Sequence, residues 1–380
     1  MRQKKSFYQI FVDILVRFLP VRKMFCIFAP DFGPIRALYN EKSKKEHNME
    51  KKPVVLSGIR STGHLHLGNY YGALRNFVEM QSDYDCRYFI ADYHSLTTQP
   101  DPQVLNPNVR SILSEYLAAG MDPDKCVIYI QSDVPQTCEF YTLLNMHAYL
   151  GELEKTVSFK DKARKQPNNV NAGLLTYPVL MAADILQHKA NFVPVGKDQL
   201  QHLEMARNFA VRFNHFYKTD FMVEPKPYEA KGEPVKVPGL DGSGKMGKSE
   251  GNCIYINDED DVVIKKFKKA VTDMTPAEPN SEMTEPIKNL FYFLKLVSTQ
   301  ETYDQFLAAW NDCSIRYGDL KMQIAEDVLK VTRPIRERYK EIYADADYLN
   351  KVRDQGAEKA RAIVSQSVEE MRQIMGFHRF

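Results

Sequence analysis

The sequence of 380 residues lacks the cysteine spacing that marks a metal-binding or disulfide-rich protein. Its six cysteines are spread along the chain, and none forms a C-x-x-C pair. Zinc and iron–sulfur sites therefore have little support. The sequence favours reduced thiols in an intracellular protein, and we expect no metal ion to be held by the protein's own side chains.

The chain also lacks a long apolar run and a dominant charge. Its nearest approach to a membrane span is residues 7–19, which is shorter than the roughly 20 residues required and carries Gln9, Asp13 and Arg17 at every fourth position. We expect an apolar helix with one polar stripe there, and no membrane span. The 51 basic and 49 acidic residues give a net charge of +2, which does not indicate a nucleic-acid binder but allows a local basic face.

Residues 1–48 are basic and rich in aromatic side chains, and they end in a polar run before Met49. Three interpretations compete: an amphipathic targeting sequence, which would make the protein organellar; a helix that binds a membrane surface or a partner; or sequence upstream of a natural start at Met49. Four acidic residues argue against targeting, namely Asp13, Asp31, Glu41 and Glu46. We favour the upstream sequence, and predict a poorly ordered extension and a cytoplasmic protein.

After Met49, short apolar runs alternate with stretches of helical periodicity. The pattern predicts strands at residues 53–59, 86–92, 126–133 and 192–196. It predicts helices at 70–80, 107–119 and 198–214, the second with Pro107 at its first position. This alternation indicates an α/β fold with a parallel sheet covered on both faces. Ligands of such sheets bind at the carboxyl ends of the strands.

After residue 258 the strand signals stop. Helices are predicted at 260–272, 286–298, 302–310, 320–343 and 348–375. The last third of the chain is therefore expected to be an all-helical domain.

The first stretch that suggests chemistry is Ser57–Gly72, SGIRSTGHLHLGNYYG, directly after the first predicted strand. His66 and Asn69 lie three residues apart at the entry to a helix, so both side chains can point to one spot. A helix N-terminus is a natural phosphate site. Asn69 cannot carry a proton, so this pair is suited to hydrogen-bonding a phosphoryl group. A tight turn with a capped helix is the structural alternative.

The second stretch, Gly239–Asn252, reads GLDGSGKMGKSEGN and matches the P-loop pattern G-x-x-x-x-G-K-[ST]. A P-loop needs a strand before it and a helix beginning at Lys248, but a proline-rich connector precedes it and a short strand is predicted at 253–256. We interpret it as a mobile loop that presents Lys245 and Lys248 to a triphosphate. A P-loop ATPase or kinase remains an alternative, as does a solvated basic loop.

The third stretch places Tyr177, Met181 and Asp184 on one helix face. A carboxylate on an apolar face needs a partner, and from spacing alone a ligand donor competes with a structural arginine or backbone amide. His94 follows the second predicted strand and is expected at the same crevice, although a lone histidine is more often a satisfied core residue.

Together these motifs resemble the class I aminoacyl-tRNA synthetases, in particular the tryptophanyl enzymes of bacteria and organelles. His66-Leu67-Gly68-Asn69 resembles the first signature of that class, and Lys245-Met246-Gly247-Lys248-Ser249 resembles the second. The stretches GLLTYPVLMAADIL and VPVGKDQLQH resemble the tryptophan enzyme more than its tyrosine relative. The resemblance runs from about Val54 to the last helix.

The resemblance implies a Rossmann-like catalytic domain at residues 49–258, a helical anticodon-binding domain at 259–380 and roles for individual residues. Asp184 would accept the indole N–H, and the rest of the tryptophan pocket would be His94, Tyr177, Met181, Val193, Val195 and Gln199. Lys162 would reach the triphosphate, and ATP would also contact Gly58, Arg60, Ser61, Thr62, His66, Gly68, Asn69, Gly196, Lys197, Asp198, Lys245, Met246, Lys248 and Ser249.

The implied reaction is activation of L-tryptophan by ATP, with Mg²⁺ bound through the ATP, followed by transfer to tRNA(Trp). The resemblance also implies a homodimer, and cations such as those of TRPIRERYK (residues 332–340) are expected to grip the anticodon region. A tyrosyl enzyme stays an alternative, because a carboxylate also suits a phenol O–H. A catalytically idle homologue is disfavoured by the intact lysines and the His66–Asn69 pair.

Three departures from the family pattern stand out. Gly247 replaces the usual serine, which removes a hydroxyl but keeps both lysines. Arg60 and Ser61 stand where the family often has Gln-Pro, and Leu56 stands where some members stack an aromatic ring on the substrate.

Overall fold

A parallel β-sheet forms the centre of the protein. In this computed structural model, which describes residues 52–228 and 235–377, the sheet has five strands in the order β3-β2-β1-β4-β5, and all neighbours run parallel. The strands are β1 (Val54–Arg60), β2 (Asp85–Ala91), β3 (Val127–Ile130), β4 (Phe192–Val193) and β5 (Lys226–Pro227). The first four strands were predicted, whereas β5 is only two residues long and carries no sequence signal. The extension at 1–48 lies outside the described residues.

Helices cover both faces of this sheet. The first is a continuous helical run, α1, made of Leu67–Asn69, Tyr70–Leu74 and Arg75–Met80. It is followed by α2 (Asp92–Ser95), α3 (Pro102–Ala118), α4 (Gln136–Asn145), α5 (Leu150–Glu154), α6 (Val157–Lys165), α7 (Ala172–Gln187) and α8 (Leu200–Tyr217).

Side chains of the central strands alternate between two apolar cores. Val55 and Tyr88 pack into one core with residues of α1 and α3. Leu56 and Phe89 point the other way, into a core with residues of α7 and α8. This is the two-residue period of a strand buried on both faces, and it confirms the predicted fold class.

The segment Tyr70–Leu74 of α1 has π-helical hydrogen bonding between two α-helical parts. Such a turn accommodates an extra residue within a helix. Tyr71 and Leu74 in this segment, and Phe77 beyond it, are all buried in the core. The π turn therefore joins the signature at the start of α1 to the packed part of the same helix.

Helix α3 begins five residues earlier than predicted. Asp101 caps it by accepting the Gln103 backbone N–H over 2.9 Å, and Pro102 occupies the first position. The prediction that Pro107 begins the helix is wrong, because the Asp-Pro pair supplies a better start. Pro107 lies inside the helix, where it lacks an N–H for the backbone ladder.

The C-terminal part is helical, as predicted, with α9 (Asp260–Lys268), α10 (Glu285–Val297), α11 (Gln300–Asn311), α12 (Tyr317–Ala344) and α13 (Ala346–Ile374). Helix α13 packs against β3, and Arg353 forms two 2.6 Å bonds with the carboxylate of Asp133. The domain boundary at residues 258 and 259 stays a prediction. None of the helices in the described part of the chain is long and apolar enough to cross a membrane.

Candidate active site

The functional side chains gather where the central strands end. β1 ends at Arg60, β2 leads directly into α2 with His94, and β3 is followed by Gln131. The carboxyl ends of parallel strands lie along one edge of a sheet, where ligands of such folds bind.

The first signature caps α1 with its own side chains. The Asn69 backbone N–H donates to Nδ1 of His66 over 3.3 Å, and Oδ1 of Asn69 accepts the His66 backbone N–H over 3.1 Å. Burial, and then the charges of Lys248 and Lys245, lower the pKa of His66 to about 4. The ring is therefore neutral near pH 7, and since Nδ1 accepts, its proton lies on Nε2.

These contacts are those of the capped helix that was the structural alternative. They nevertheless leave two donors, Nε2–H of His66 and the amide NH₂ of Asn69, at a helix N-terminus. A Cβ on Gly68 would lie 2.8 and 2.9 Å from atoms of the His66 ring, so only glycine allows this ring position.

The loop of residues 239–252 is closed by Asn252. The Asn252 side-chain nitrogen donates to Asp241 Oδ1 and Ser243 Oγ, both over 3.0 Å. Its oxygen accepts the Gly247 N–H over 2.9 Å. The loop thus has a defined conformation with its own internal hydrogen bonds, and its closure on a ligand stays a prediction.

Met246 anchors the middle of this loop and leaves the basic side chain before it in solvent. Met246 is buried in the core, and its N–H donates to the Val237 carbonyl over 2.9 Å. Lys245 is exposed. Ser249 is also exposed, and its hydroxyl donates to Glu250 Oε1 over 3.0 Å.

The P-loop alternative requires a helix that begins at Lys248. The structure instead has a single 3-10 turn, Lys248–Glu250, which Gly251 ends in the left-handed conformation with φ 66°. Tyr255 then forms an isolated antiparallel bridge with His66. The strand predicted at 253–256 is therefore reduced to one bridge, because this segment pairs with the first signature and not with the sheet. The P-loop alternative is wrong.

Lys248 reaches from the loop to the turn of the first signature. Its Nζ donates to the carbonyl oxygens of Gly63 and Thr62, over 2.8 and 3.3 Å. Burial lowers the pKa of Lys248, and the negative charge of Glu115 opposes that shift. The structure therefore brings the loop of residues 239–252 to the turn before the first signature.

Asp184, on α7, is fully buried and has side-chain partners. Gln131 Nε2 donates to its two carboxylate oxygens, over 2.8 and 2.9 Å, and His94 Nε2 lies 2.8 Å from one of them. Burial raises the pKa of Asp184, and the bonds from His94 and Gln131 oppose that shift. The partners are neither an arginine nor a backbone amide, the two structural candidates left open by the sequence.

A carboxylate has roughly four acceptor sites, and these contacts use three of them. One acceptor site of the Asp184 carboxylate is therefore not used by these contacts. Gln131 was not predicted, because the strand predicted at 126–133 includes it, whereas β3 ends at Ile130 and leaves Gln131 at the ligand-binding edge.

Tyr177 and Gln199 are connected through His202. Burial, and then Lys162, lower the pKa of His202 to about 4, so this ring is also neutral near pH 7. Its Nδ1 lies 2.9 Å from Oε1 of Gln199, which only accepts, so Nδ1 carries the proton. Its Nε2 has one lone pair and lies 2.7 Å from the hydroxyls of both Tyr177 and Ser158, so it accepts from one of them at a time.

His202 and Ser158 were not predicted. His202 lies three residues after Gln199, which is a helical spacing that brings side chains together, whereas Ser158 comes from a distant helix and has no such signal.

Lys162 lies over the ring of Tyr177, with Nζ 3.7 Å from the ring centroid. Burial, and then Arg60, lower its pKa to about 8. Lys162 therefore belongs to the Tyr177 side of the site in this structure, and its reach to a triphosphate stays a prediction.

The remaining predicted site residues make fewer polar contacts. Ser61 is buried, and its N–H and hydroxyl both bind Ser95 Oγ, over 3.1 and 2.9 Å. Val193 is buried, and Met181 and Val195 pack against the same core. Leu56 is fully enclosed in that core. The exposed members are Gly58, Arg60, Thr62, Gly196, Lys197 and Asp198.

Most cations of the TRPIRERYK stretch on α12 are used within the protein. Arg333 and Arg336 both donate to Asp260, over 2.5 and 2.6 Å. Lys340 pairs with Glu259 over 2.8 Å. These bonds join α12 to the start of α9, so they argue against the expectation that these cations grip RNA. Arg338 is exposed and forms no ion pair with the described residues.

The chain is similar to known sequences along most of its length. A family model described as tRNA synthetases class I (W and Y) matches residues 48–332. A tryptophan–tRNA ligase of Porphyromonas gingivalis is 59% identical over 323 residues, which are 85% of this chain and 99% of that protein. A tryptophan–tRNA ligase of Clostridium tetani is 38% identical over 336 residues, 87% of this chain and 98% of that protein.

Solved structures give the same result. A tryptophanyl-tRNA synthetase from Campylobacter jejuni, complexed with ADP and tryptophan, has a TM-score of 0.76 and 34% identity, and covers 85% of this chain and 99% of that one. A tyrosyl-tRNA synthetase from Aeropyrum pernix has a TM-score of 0.57 and 17% identity, covering 88% and 94%. The second similarity shows the fold alone.

Proposed function

The chain belongs to the class I tRNA synthetases, within the bacterial type of tryptophanyl-tRNA synthetase, and from this premise we propose how its residues carry the reaction. It activates L-tryptophan with ATP and joins it to tRNA(Trp). A carboxylate oxygen of tryptophan attacks the α-phosphorus, the bond from that phosphorus to the bridging oxygen breaks, and pyrophosphate leaves. A hydroxyl of the terminal ribose then attacks the activated carbonyl carbon, and AMP leaves.

The observation that carries this function is the arrangement around Asp184. Indole offers one N–H donor and no acceptor, so it needs an acceptor at the end of an apolar pocket. Gln131 and His94 hold the carboxylate by both oxygens and leave an acceptor direction for the indole. Met181, Val193 and Val195 would form apolar walls.

The α-ammonium group of tryptophan is assigned to Tyr177 and Gln199. With the Tyr177 hydroxyl as the donor to His202, its oxygen keeps lone pairs that an ammonium can bind. A neutral His202 supports this direction of donation, since a protonated ring would have no acceptor. Ser158 and His202 therefore act through Tyr177.

ATP is assigned to the two signatures and the turn at residues 196–198. Neutral His66 and Asn69 present donors at the start of α1, and Lys245 and Lys248 supply positive charge. Charge develops on pyrophosphate as it leaves, so fixed donors and cations stabilise that step more than the bound substrate. These residues act by position and charge, with no covalent enzyme intermediate. The Campylobacter jejuni relative was solved with ADP and tryptophan, which supports binding of both kinds of ligand by this chain.

Mg²⁺ is proposed to enter with the nucleotide. Within residues 52–228 and 235–377, no three His, Cys, Asp or Glu side chains converge as a metal site. Mg²⁺ prefers phosphate oxygens and water with few protein ligands, so this arrangement suits an ion carried by the triphosphate. No step is assigned to a metal held by the protein.

A homodimer is supported by an exposed apolar patch. Its members come from the ends of α4 and α8, from α5 and from the start of α6, and are Met146, Tyr149, Leu150, Val157 and Phe216. Arg212 bridges two parts of the patch, because it stacks on Tyr149 at 4.1 Å and donates to the His147 carbonyl. Exposed large apolar side chains on neighbouring elements commonly mark a subunit interface.

Light scattering after gel filtration tests the dimer. We expect a mass twice the 43.9 kDa of one chain, and monomers when Met146 and Phe216 are changed to glutamate. A wild-type monomer at micromolar concentration overturns this assignment.

We assign the binding of the tRNA anticodon region to the helical C-terminal part, with exposed Arg338 as a candidate contact. A cytoplasmic location is proposed because the relatives are bacterial proteins.

ATP–pyrophosphate exchange with each amino acid tests the function. We expect strong exchange with tryptophan, little with tyrosine, and loss of exchange when Lys245 and Lys248 are both changed to alanine. Charging of tRNA(Trp) transcript then tests the second step. Exchange that depends on tyrosine and not on tryptophan overturns the assignment.

A further inference from the structure

His64, two residues before His66, lies in a polar cluster that the reaction described above does not use. Its Nδ1 is 3.0 Å from Glu115 Oε1, 2.7 Å from Ser111 Oγ and 2.9 Å from Asn257 Nδ2. With a proton on Nδ1 the ring donates to Glu115, and without it the ring accepts from Ser111 or Asn257. Either form therefore has a partner, and the cluster holds the ring in place.

The ring of His64 also joins two other segments of the chain. It packs edge-on against Tyr255, three residues after the loop of residues 239–252, and against Tyr339 on α12. The distances between ring centroids are 6.3 and 6.2 Å. Tyr339 reaches the same cluster through its hydroxyl, 3.3 Å from Ser111 Oγ. The segment just before the first signature, the segment just after the loop of residues 239–252 and helix α12 thus meet at His64.

Glu115, on α3, is a fully buried carboxylate with ordered partners. Its Oε2 accepts the Leu65 backbone N–H over 3.0 Å, while Oε1 faces His64. The Leu65 carbonyl in turn accepts the Ile256 N–H over 3.0 Å. A buried charge is costly unless it is paired and hydrogen-bonded, so Glu115 fixes the backbone just before the first signature.

The residues just before His64 bind the side chain of Lys248. Its Nζ donates to the carbonyls of Gly63 and Thr62, and the charge of Glu115 also attracts it. Lys248 is therefore oriented by the carbonyls of Thr62 and Gly63. Glu115 binds the next two residues of the same turn, His64 and Leu65.

We propose that Glu115 and His64 are positioning residues for tryptophan activation. They hold the turn of residues 62–65, which binds Lys248, and they connect this turn to α12 through Tyr339. The inference rests on the proposed function, because Lys248 matters there as the cation for departing pyrophosphate. Neither residue is assigned a contact with a reacting atom. Their effect would pass through the direction and depth at which Lys248 is held.

A double-mutant cycle in ATP–pyrophosphate exchange tests this proposal. We expect Glu115→Gln to lower kcat about tenfold, the effect of one displaced charge contact, with KM for tryptophan unchanged. In a Lys248→Ala background the same substitution should change kcat less than about twofold, because the residue through which it acts is gone. In a Lys245→Ala background the full loss should remain.

The Asp327→Asn variant is a matched control. Asp327 is also a buried, hydrogen-bonded carboxylate, but it lies on α12 and is bonded to Ser298. It should leave the exchange kinetics unchanged. Thermal unfolding of each variant reports folding, and if Glu115→Gln does not fold, His64→Gln carries the same cycle with the same expected pattern.

Two results overturn the inference: equal losses in the wild-type and Lys248→Ala backgrounds, or full activity of both folded variants. Absence of tryptophan-dependent exchange in the wild-type protein would instead overturn the proposed function, so the two failures are distinguishable.

Discussion

Asp184 and Gln131 are joined by two hydrogen bonds from one amide nitrogen, which lies 2.8 and 2.9 Å from the two carboxylate oxygens. The residues are 53 positions apart in the chain, and α7 and the end of β3 bring them together. Contact with both oxygens fixes the plane of the carboxylate. The fold therefore sets the orientation of this carboxylate.

Asp184→Asn keeps the shape of this side chain but replaces an acceptor oxygen by an NH₂ group. Hydrogen bonds to charged groups contribute about 1.5–3 kcal/mol, so we expect kcat/KM for tryptophan to fall roughly 10- to 150-fold, mainly through KM. KM for ATP should be unchanged. ATP–pyrophosphate exchange at varied tryptophan measures both constants, Asp327→Asn serves as the control, and an unchanged KM for tryptophan contradicts the assignment.

Tyr177→Phe removes the hydroxyl proposed to bind the α-ammonium group. We expect about tenfold weaker binding of tryptophan, the loss of one hydrogen bond to a charged group. Indole-3-propionate has no amino group, so it should inhibit the wild type and the variant with equal Ki. Inhibition constants from exchange assays make the comparison, and a parallel loss for both ligands would show that the hydroxyl acts elsewhere.

Gly247→Ser should be tolerated despite its place between the two lysines. Gly247 has an extended backbone (φ −152°), and a Cβ there would meet its nearest atom, Cγ of Glu250, at 3.4 Å. We expect unfolding free energy within about 0.5 kcal/mol of wild type and exchange within about threefold.

Gly68→Ala is the contrasting variant, because its Cβ would collide with the His66 ring. We expect at least a tenfold loss of kcat/KM for ATP, the effect of roughly 1.4 kcal/mol. Equal behaviour of the Gly247 and Gly68 variants in the exchange assay would contradict the geometry of the signature.

His202 should make stability depend on pH in the acidic range. Its pKa is lowered from 6.5 to about 4 in the folded protein, so between these values the unfolded chain binds more protons. The contribution of His202 is therefore full above pH 6.5 and is lost as pH falls through 4. We expect the unfolding free energy of wild type relative to His202→Gln to fall by about 3 kcal/mol between pH 7 and 4.

Urea denaturation of the two proteins at each pH measures this difference. Each curve alone also contains the opposing effect of buried carboxylates such as Asp184, whose pKa is raised, so the wild-type minus variant difference is the informative quantity. A difference that stays constant with pH would show that His202 is protonated to the same extent in both states.

The sequence predicted those features that depend on local pattern. Apolar runs of β-branched and aromatic residues identify β1 and β2, and periodicity identifies α12 and α13, because these elements bury continuous faces. Asp184 was recognised because a carboxylate on an apolar helix face is costly without a partner.

Features that depend on tertiary contacts were missed or misjudged. Gln131 can bind Asp184 only because the end of β3 lies near α7. Arg336, which was expected to bind RNA, instead binds Asp260 because α9 packs on α12. The strand predicted at 253–256 failed because its pairing partner is His66 and not the sheet. Each of these outcomes depends on which segments meet, which periodicity does not report.

The π turn at Tyr70–Leu74 gives α1 one residue more than regular winding between its two ends would need. Because the extra residue is absorbed within the turn, the helix on either side keeps almost the same rotational phase. Removing one residue from the turn would therefore leave His66 and Asn69 directed at the crevice and Phe77 directed at the core. A deletion in the regular part, Arg75–Met80, would instead rotate one end of the helix by about 100° relative to the other, so we expect the same one-residue deletion to be more harmful there than in the turn.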